Sequence, residues 1–193
     1  MINIAIKEAT REAHLALEKK VIRKIKAIQN SNDYANFLKY FYAYFNHLES
    51  AIAPFITEAR LPGHKDRRDS SYLKKDIEAL GGNTDNLPNT TVPVIENHLQ
   101  AFGALYVMEG SIMGGRIIVK LLENVGIRQG VSFFSGYGEN TEEMWELFGE
   151  ALNAQVERHE HAKIMIQTAN DTFAHFSLVF DQDVVTCPRE VLL

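Results

Sequence analysis

The sequence is nearly free of cysteine and lacks the short motifs of several common enzyme classes. Cys187 is its only cysteine, so an internal disulfide is excluded and a reducing compartment is expected. It contains no glycine-rich phosphate loop, no dinucleotide fingerprint following a strand and no G-x-S-x-G elbow. These absences disfavour nucleotide-dependent enzymes of those kinds and serine hydrolases built on the elbow.

Basic charge and membrane signals are also lacking. The 20 basic and 25 acidic residues give a net charge of −5, whereas nucleic-acid partners usually meet a basic face. No apolar run reaches 18 residues, and residues 1–8 lack the pattern of a signal peptide. We expect a cytoplasmic protein with no nucleic-acid or membrane partner. Its 193 residues suffice for a single domain with its own core, followed by an irregular tail from about residue 184.

Alternating β-strand patterns are absent, and apolar residues recur at helical spacings instead. The predicted fold class is therefore all-α, a multi-helical bundle forming one domain. The predicted helices cover residues 3–28, 34–57, 70–80, 94 to just before 126, 140 to beyond 152, and 162–181. The charged run 65–68 is predicted to lie in a solvated loop.

A helical protein with glutamate and histidine raises the question of a di-iron site. Such sites use Glu-x-x-His pairs on two helices, and no glutamate in this chain has a histidine three positions later. His159 and His161 are two residues apart, so on a helix they point in different directions. We interpret both as surface residues.

His14 lies on the apolar stripe of the first helix, in register with Leu17 and Val21. An inward imidazole is the commonest protein ligand of a transition metal. Glu18 follows one turn later, within reach of the second ring nitrogen. The alternative is a core histidine that hydrogen-bonds to a carbonyl group.

Two cations, Lys7 and Arg11, share that part of the helix with His14. Cations beside a metal ligand suit a molecule that carries acid groups next to its metal. Heme has these properties, since it combines iron, a flat apolar ring and propionates on one rim. The alternative for both cations is ordinary solvated charge.

Residues 105–120 combine a helical pattern with Gly110, Ser111, Gly114 and Gly115. Each interior glycine costs a helix about 1 kcal/mol relative to alanine. In return, the missing Cβ lets a flat ligand lie against the backbone. The alternative is a helix crossing in which Gly110 and Gly114 form the packing seam.

These segments resemble the heme oxygenase family, in particular its bacterial, biliverdin-forming type found alongside bacteriophytochromes. Residues 7–18, KEATREAHLALE, are similar to the family's proximal-histidine helix. Residues 106–115, YVMEGSIMGG, are similar to its distal helix. Weaker similarities occur at 72–81, 133–138 and 172–173, so the resemblance covers nearly the whole chain. It implies that heme lies between the first helix and a kinked, glycine-rich distal helix.

The resemblance also implies specific roles. His14 is the expected iron ligand, Glu18 its orienting neighbour, and Lys7 and Arg11 the partners of the propionates. The expected distal and pocket residues are Gly110, Ser111 and Gly114, which are assigned to catalysis, together with Gly115, Tyr106 near the heme edge and Phe173 on one side.

In the family's reaction heme is both cofactor and substrate. Oxygen activated at the iron attacks a meso carbon, and the ring opens to biliverdin with release of carbon monoxide and iron. The implied partners are an external electron donor of the ferredoxin or flavin reductase type and a bacteriophytochrome that accepts biliverdin. Two alternatives stay open: a non-catalytic heme store, carrier or sensor, and a cofactor-free helical interaction module.

Overall fold

The computed structural model describes residues 1–182, and this range contains seven α-helices and no strand. The helices are α1 (Ile2–Ala9), α2 (Arg11–Lys26), α3 (Ser31–Ile52), α4 (Ser70–Ala79), α5 (His98–Glu123), α6 (Thr141–Ala154) and α7 (His159–Val179). The all-α prediction is confirmed. The irregular tail predicted from about residue 184, with Cys187, lies outside the described residues.

The first predicted helix is divided in two at Thr10. This residue adopts φ −101° and ψ 0°, and its hydroxyl donates to the carbonyl oxygen of Ile6 at 2.7 Å. A threonine that bonds its own backbone in this way competes with the regular helical pattern. The prediction of one helix over 3–28 was therefore wrong, and α2 begins afresh three residues before His14.

Helix α3 supplies the aromatic side of the core. Asn30 caps it by accepting a hydrogen bond from the backbone N–H of Asp33 at 3.0 Å, which starts the helix three residues earlier than predicted. Phe41 and Phe45 are buried and contact Phe176 of α7, with ring centroids 5.1 Å and 4.9 Å away. The aromatic stripe of α3 is core, as expected.

Helix α5 runs unbroken through the glycine cluster and packs mainly against α7. Asn97 caps it by accepting from the N–H of Gln100 at 3.1 Å, so it begins four residues later than predicted. Gly103 marks the close crossing with α7, because a Cβ there would overlap the carbonyl oxygen of Met165. The kink predicted for this helix stays a prediction.

Among residues 1–182, only α5 is long and apolar enough, by length and composition, to cross a membrane. In its most apolar window, 56% is buried within the protein. A core helix of a soluble protein has the same composition, so the test gives only weak evidence for a membrane span. All seven helices contribute buried apolar side chains to one hydrophobic cluster.

Candidate functional site

A slot between α2 and α5 forms a cavity of about 670 Å³. This volume lies in the range of cofactor and ligand pockets. Phe173 of α7 and Trp145 of α6 complete its walls. Nine of the ten residues predicted for the site line it: Lys7, Arg11, His14, Glu18, Tyr106, Gly110, Ser111, Gly114 and Phe173. Gly115 does not.

The α2 wall carries His14 above a buried apolar stripe. Leu17, Val21 and Ile25 of that stripe are 6%, 9% and 6% exposed, whereas the imidazole of His14 is open to the cavity. Within residues 1–182 neither ring nitrogen of His14 has a hydrogen-bond partner. Both nitrogens are therefore available, and one of them can bind a metal from inside the slot.

Glu18 also lines the slot, one turn after His14, and is half-buried. In the part of the chain that the structure describes, no hydrogen bond joins the two side chains. The orienting role of Glu18 thus stays a prediction. The ring of His14 is held instead by Phe173, which it meets edge-on.

Lys7 and Arg11 lie at the α1–α2 junction, where the slot opens to solvent. Both side chains are exposed, and neither forms an ion pair or hydrogen bond with any residue from 1 to 182. Thr10 between them is buried. The junction therefore presents two positive charges that form no ion pair with residues 1–182, at the edge of a slot that Glu8 and Glu18 also line. Cations placed in this way can attract carboxylates.

The glycines of α5 divide into two kinds. Gly110 and Gly114 face the cavity: a Cβ on Gly114 would meet nothing within 4 Å, and one on Gly110 only Trp145 at 4.0 Å. Gly115 faces the opposite way, where a Cβ would overlap the carbonyl oxygen of Phe134. The close packing contacts of α5 are thus made at Gly103 and Gly115. The alternative of a seam at Gly110 and Gly114 is not supported.

Ser111 lines the slot between the two open glycines. Its hydroxyl donates to the carbonyl oxygen of Val107 at 2.9 Å, so its proton is already used. Its oxygen can still accept a hydrogen bond from a ligand or a water molecule. This restricts Ser111 to the role of acceptor.

Tyr106 joins α5 to the α1–α2 junction. It is 9% exposed. Burial raises the pKa of its phenol, while a hydrogen bond with the side chain of Thr10 acts in the opposite direction. Its ring lies 5.7 Å from that of Trp145. Together Tyr106 and Trp145 close the slot on the side of α6.

The slot has the features that heme requires. Residues 1–182 contain no group of three or more His, Cys, Asp or Glu side chains that could hold a bare metal ion. Apolar walls suit the ring, the open backbone at Gly114 permits close approach, and the cations at the junction suit propionates.

The heme oxygenase family model matches residues 2–182. The chain belongs to the heme oxygenase family. It is similar to a heme oxygenase from Xanthomonas campestris, with 25% identity over 149 residues that cover 76% of this chain and 88% of that protein.

The fold agrees with that of a solved family member. The NO- and CO-bound heme oxygenase from Neisseria meningitidis superposes with a TM-score of 0.82, covering 96% of each chain at 19% identity. At this level of identity the likeness shows the shared fold. Together with the family match, it identifies this chain as a heme-degrading enzyme with an all-α heme oxygenase fold.

Sequence reasoning missed several residues of this heme oxygenase site. Trp145 was assigned only to a helix, although its ring lines the slot. The apolar residues on the second half of α5 were also missed, among them Met113 and Ile117. They follow Gly110 at spacings of three and seven and therefore share its helix face, which was the available signal. For Trp145 no signal existed, because its contact depends on how α6 packs.

Proposed function

We propose that this chain binds heme in the slot between α2 and α5 and cleaves it to biliverdin, carbon monoxide and iron. The observation that carries this proposal is the pairing of two opposite walls. One wall presents the imidazole of His14, which has no hydrogen-bond partner within residues 1–182, and the other presents bare backbone at Gly110 and Gly114. A flat ring with iron at its centre suits both walls at once.

Each residue has a distinct task in this arrangement. The imidazole of His14 would hold the iron. Lys7 and Arg11 would attract the propionates and so help to orient the ring in the slot. Heme supplies the iron at which oxygen is activated and the meso carbon that is attacked.

The α5 wall of the slot contributes by having no side chain at two positions. Gly110 and Gly114 place no side chain over the ring, so the backbone of α5 can approach closely. Ser111 can accept a hydrogen bond from a water molecule on this side. Of the residues that line the slot near it, Tyr106 and Val107 are buried and Ile117 is 64% exposed. With heme bound, these side chains would limit the entry of other water, and hydrogen bonds on this side would be stronger as a result.

The electrons come from outside, because the sequence has no flavin or nicotinamide motif. We propose a ferredoxin or flavin reductase type donor. The exposed cations Lys19, Arg23 and Lys26 on α2 would attract such a donor if its surface is acidic. A bacteriophytochrome is the proposed acceptor of biliverdin, and the cytoplasm the proposed compartment.

A hemin titration followed by turnover tests the proposal. The hemin complex is supplied with a ferredoxin reducing system in air, and its absorption spectrum and carbon monoxide release are followed. We expect the Soret band to decay as bile-pigment absorption rises, with carbon monoxide released. A Soret band that persists under these conditions would indicate a heme store, carrier or sensor. If the protein does not bind hemin, the remaining alternative is a cofactor-free helical module that interacts with another protein.

A further inference from the structure

One cation of the charged run 65–68 is buried, contrary to the prediction of a solvated loop. Arg67 Nη1 lies 2.9 Å from Oε2 of Glu109, and the two side chains are 5% and 3% exposed. Burying a charge is costly unless it is paired. Glu109 stands among apolar residues of α5, and this ion pair explains how the helix tolerates its carboxylate.

The guanidinium of Arg67 connects two helices. While Nη1 faces Glu109 of α5, Nη2 donates to the carbonyl oxygen of Met144 in α6 at 3.2 Å. The Cζ atom lies 5.7 Å from the ring of Phe148, also in α6. The buried Nε and Nη1 have no hydrogen-bond partner among residues 1–182, so Nη1 meets Glu109 as an ion pair and Nη2 makes the hydrogen bond to α6. The planar guanidinium group thus contacts Glu109 of α5 and Met144 of α6 at the same time.

The two residues that Arg67 meets through its Nη atoms are each next in sequence to a residue of the slot. Glu109 precedes Gly110, and Met144 precedes Trp145. Trp145 in turn lies 4.0 Å from the position that a Cβ on Gly110 would take. The guanidinium group thus links the backbone at Glu109 and Gly110 to the backbone at Met144 and Trp145. These two segments determine how closely Trp145 approaches Gly110.

Besides Arg67, Tyr137 of the loop before α6 also contacts the carboxylate of Glu109. The phenol O–H lies 3.4 Å from both carboxylate oxygens. Burial raises the pKa of Glu109, and the charge of Arg67 opposes that effect.

We propose that Arg67 and Glu109 are positioning residues that hold α6 against α5, so that Trp145 stands over Gly110 and fixes the width of the slot at its distal wall. The shape of the slot follows from the contacts above. The consequence for heme rests on the proposed function. A lysine at position 67 keeps the charge but has no fork, so it cannot reach Glu109 and the carbonyl of Met144 in the same way.

Trp145 is the only tryptophan in the chain, so its fluorescence in the hemin-free protein reports this position directly. In Arg67→Lys and Glu109→Gln we expect emission at longer wavelength and stronger quenching by acrylamide. Hemin affinity should fall by roughly tenfold, as is typical when a supporting residue of a site is changed. Tyr34→Phe is the control: it removes a buried hydrogen bond to Gly130 that lies away from the slot, and it should leave Trp145 unchanged.

The double variant Arg67→Met, Glu109→Leu covers the case in which a single variant does not fold. Replacing both members of a buried pair with apolar residues commonly preserves the fold, but the bond to Met144 is still lost. We expect the same change in Trp145. Folded variants with wild-type emission, quenching and hemin affinity would overturn the proposal. If wild-type protein ignores hemin, the proposed function fails, while the Trp145 measurement still decides the positioning role.

Discussion

The imidazole of His14 meets the phenyl ring of Phe173 edge-on, with ring centroids 5.6 Å apart and planes at 76°. His14 belongs to α2 and Phe173 to α7, so the contact joins two walls of the slot. Among the described residues the imidazole is oriented by this aromatic packing, without a hydrogen bond. The proposed iron binding would use one of its two ring nitrogens.

Replacing His14 with alanine should remove the iron ligand and leave the slot otherwise intact. We expect the ferrous heme spectrum of histidine ligation to disappear and biliverdin formation to stop, as measured by hemin titration and turnover. His175→Ala is the matched control, since His175 contacts Thr91 and does not line the slot. A His14→Ala protein with an unchanged spectrum and product would disprove the assignment.

Gly114 and Gly115 are adjacent in sequence, but substitution should affect them in opposite ways. Gly114→Ala adds a methyl group to open space and improves helix propensity, so unfolding free energy should rise by up to about 1 kcal/mol. Gly115→Ala forces a methyl group onto the carbonyl of Phe134 and should cost about 1–3 kcal/mol. Urea unfolding of the hemin-free proteins measures both. Equal effects would contradict the division of the glycines into slot-facing and packing positions.

A larger side chain at Gly114 should affect the chemistry more than the binding. In Gly114→Leu the side chain enters the distal side of the slot, where the proposed reaction needs room for oxygen beside the ring. We expect hemin affinity within about tenfold of wild type, about 1.4 kcal/mol, and a large loss of biliverdin yield. Gly114→Ala is the control for the added methyl group. A wild-type biliverdin yield in Gly114→Leu would remove the steric argument.

The sequence predicted those parts of the site that depend on helix periodicity. His14 shares the stripe of Leu17 and Val21, and the spacing of Gly110 and Gly114 places both on one face of α5. All five of these residues line the slot. The all-α class followed from the same periodicity.

Contacts between distant segments could not be predicted in the same way. Gly114 and Gly115 are chemically identical. Their environments differ because the carbonyl group of Phe134 lies against Gly115 and not against Gly114. Arg67 appears in a charged run that is typical of a solvated loop, yet its partner lies 42 positions away in the sequence, at Glu109. The break at Thr10 depends on a local hydroxyl bond that competes with a favourable helical pattern.

The cations at the α1–α2 junction should contribute modestly to heme binding. Lys7→Gln and Arg11→Gln each remove one exposed charge, and exposed ion pairs contribute about 0.2–1 kcal/mol. We expect each variant to bind hemin up to roughly fivefold more weakly, with a smaller difference at high salt. Lys19→Gln, on the same helix as Arg11 but outside the slot, is the control. If all three variants behave alike, the two junction cations have no special part in binding.

Glu49 should make stability depend on pH. It is half-buried near the end of α3, and its carboxylate accepts hydrogen bonds from the N–H and hydroxyl of Ser70 at 2.6 Å and 2.5 Å. Burial is the dominant influence and raises the pKa of Glu49 from 4.5 to about 7, although the bonds from Ser70 act in the opposite direction. The folded state therefore keeps a proton that the unfolded state has lost between these two pH values.

The sign of the effect follows from this difference in proton binding. The stabilising contribution of Glu49 is fully present below about pH 4.5, falls as pH rises to about 7 and is constant above that, with a total loss of up to about 3 kcal/mol. Glu49→Gln cannot ionise but keeps an acceptor oxygen for Ser70, so this pH dependence should vanish in the variant. The other groups titrate alike in both proteins and cancel in the difference between their unfolding free energies. We expect the difference in unfolding free energy between the two proteins, measured by urea unfolding, to favour wild type more at pH 5 than at pH 8. A difference independent of pH would show that the carboxyl group of Glu49 titrates normally in the folded protein.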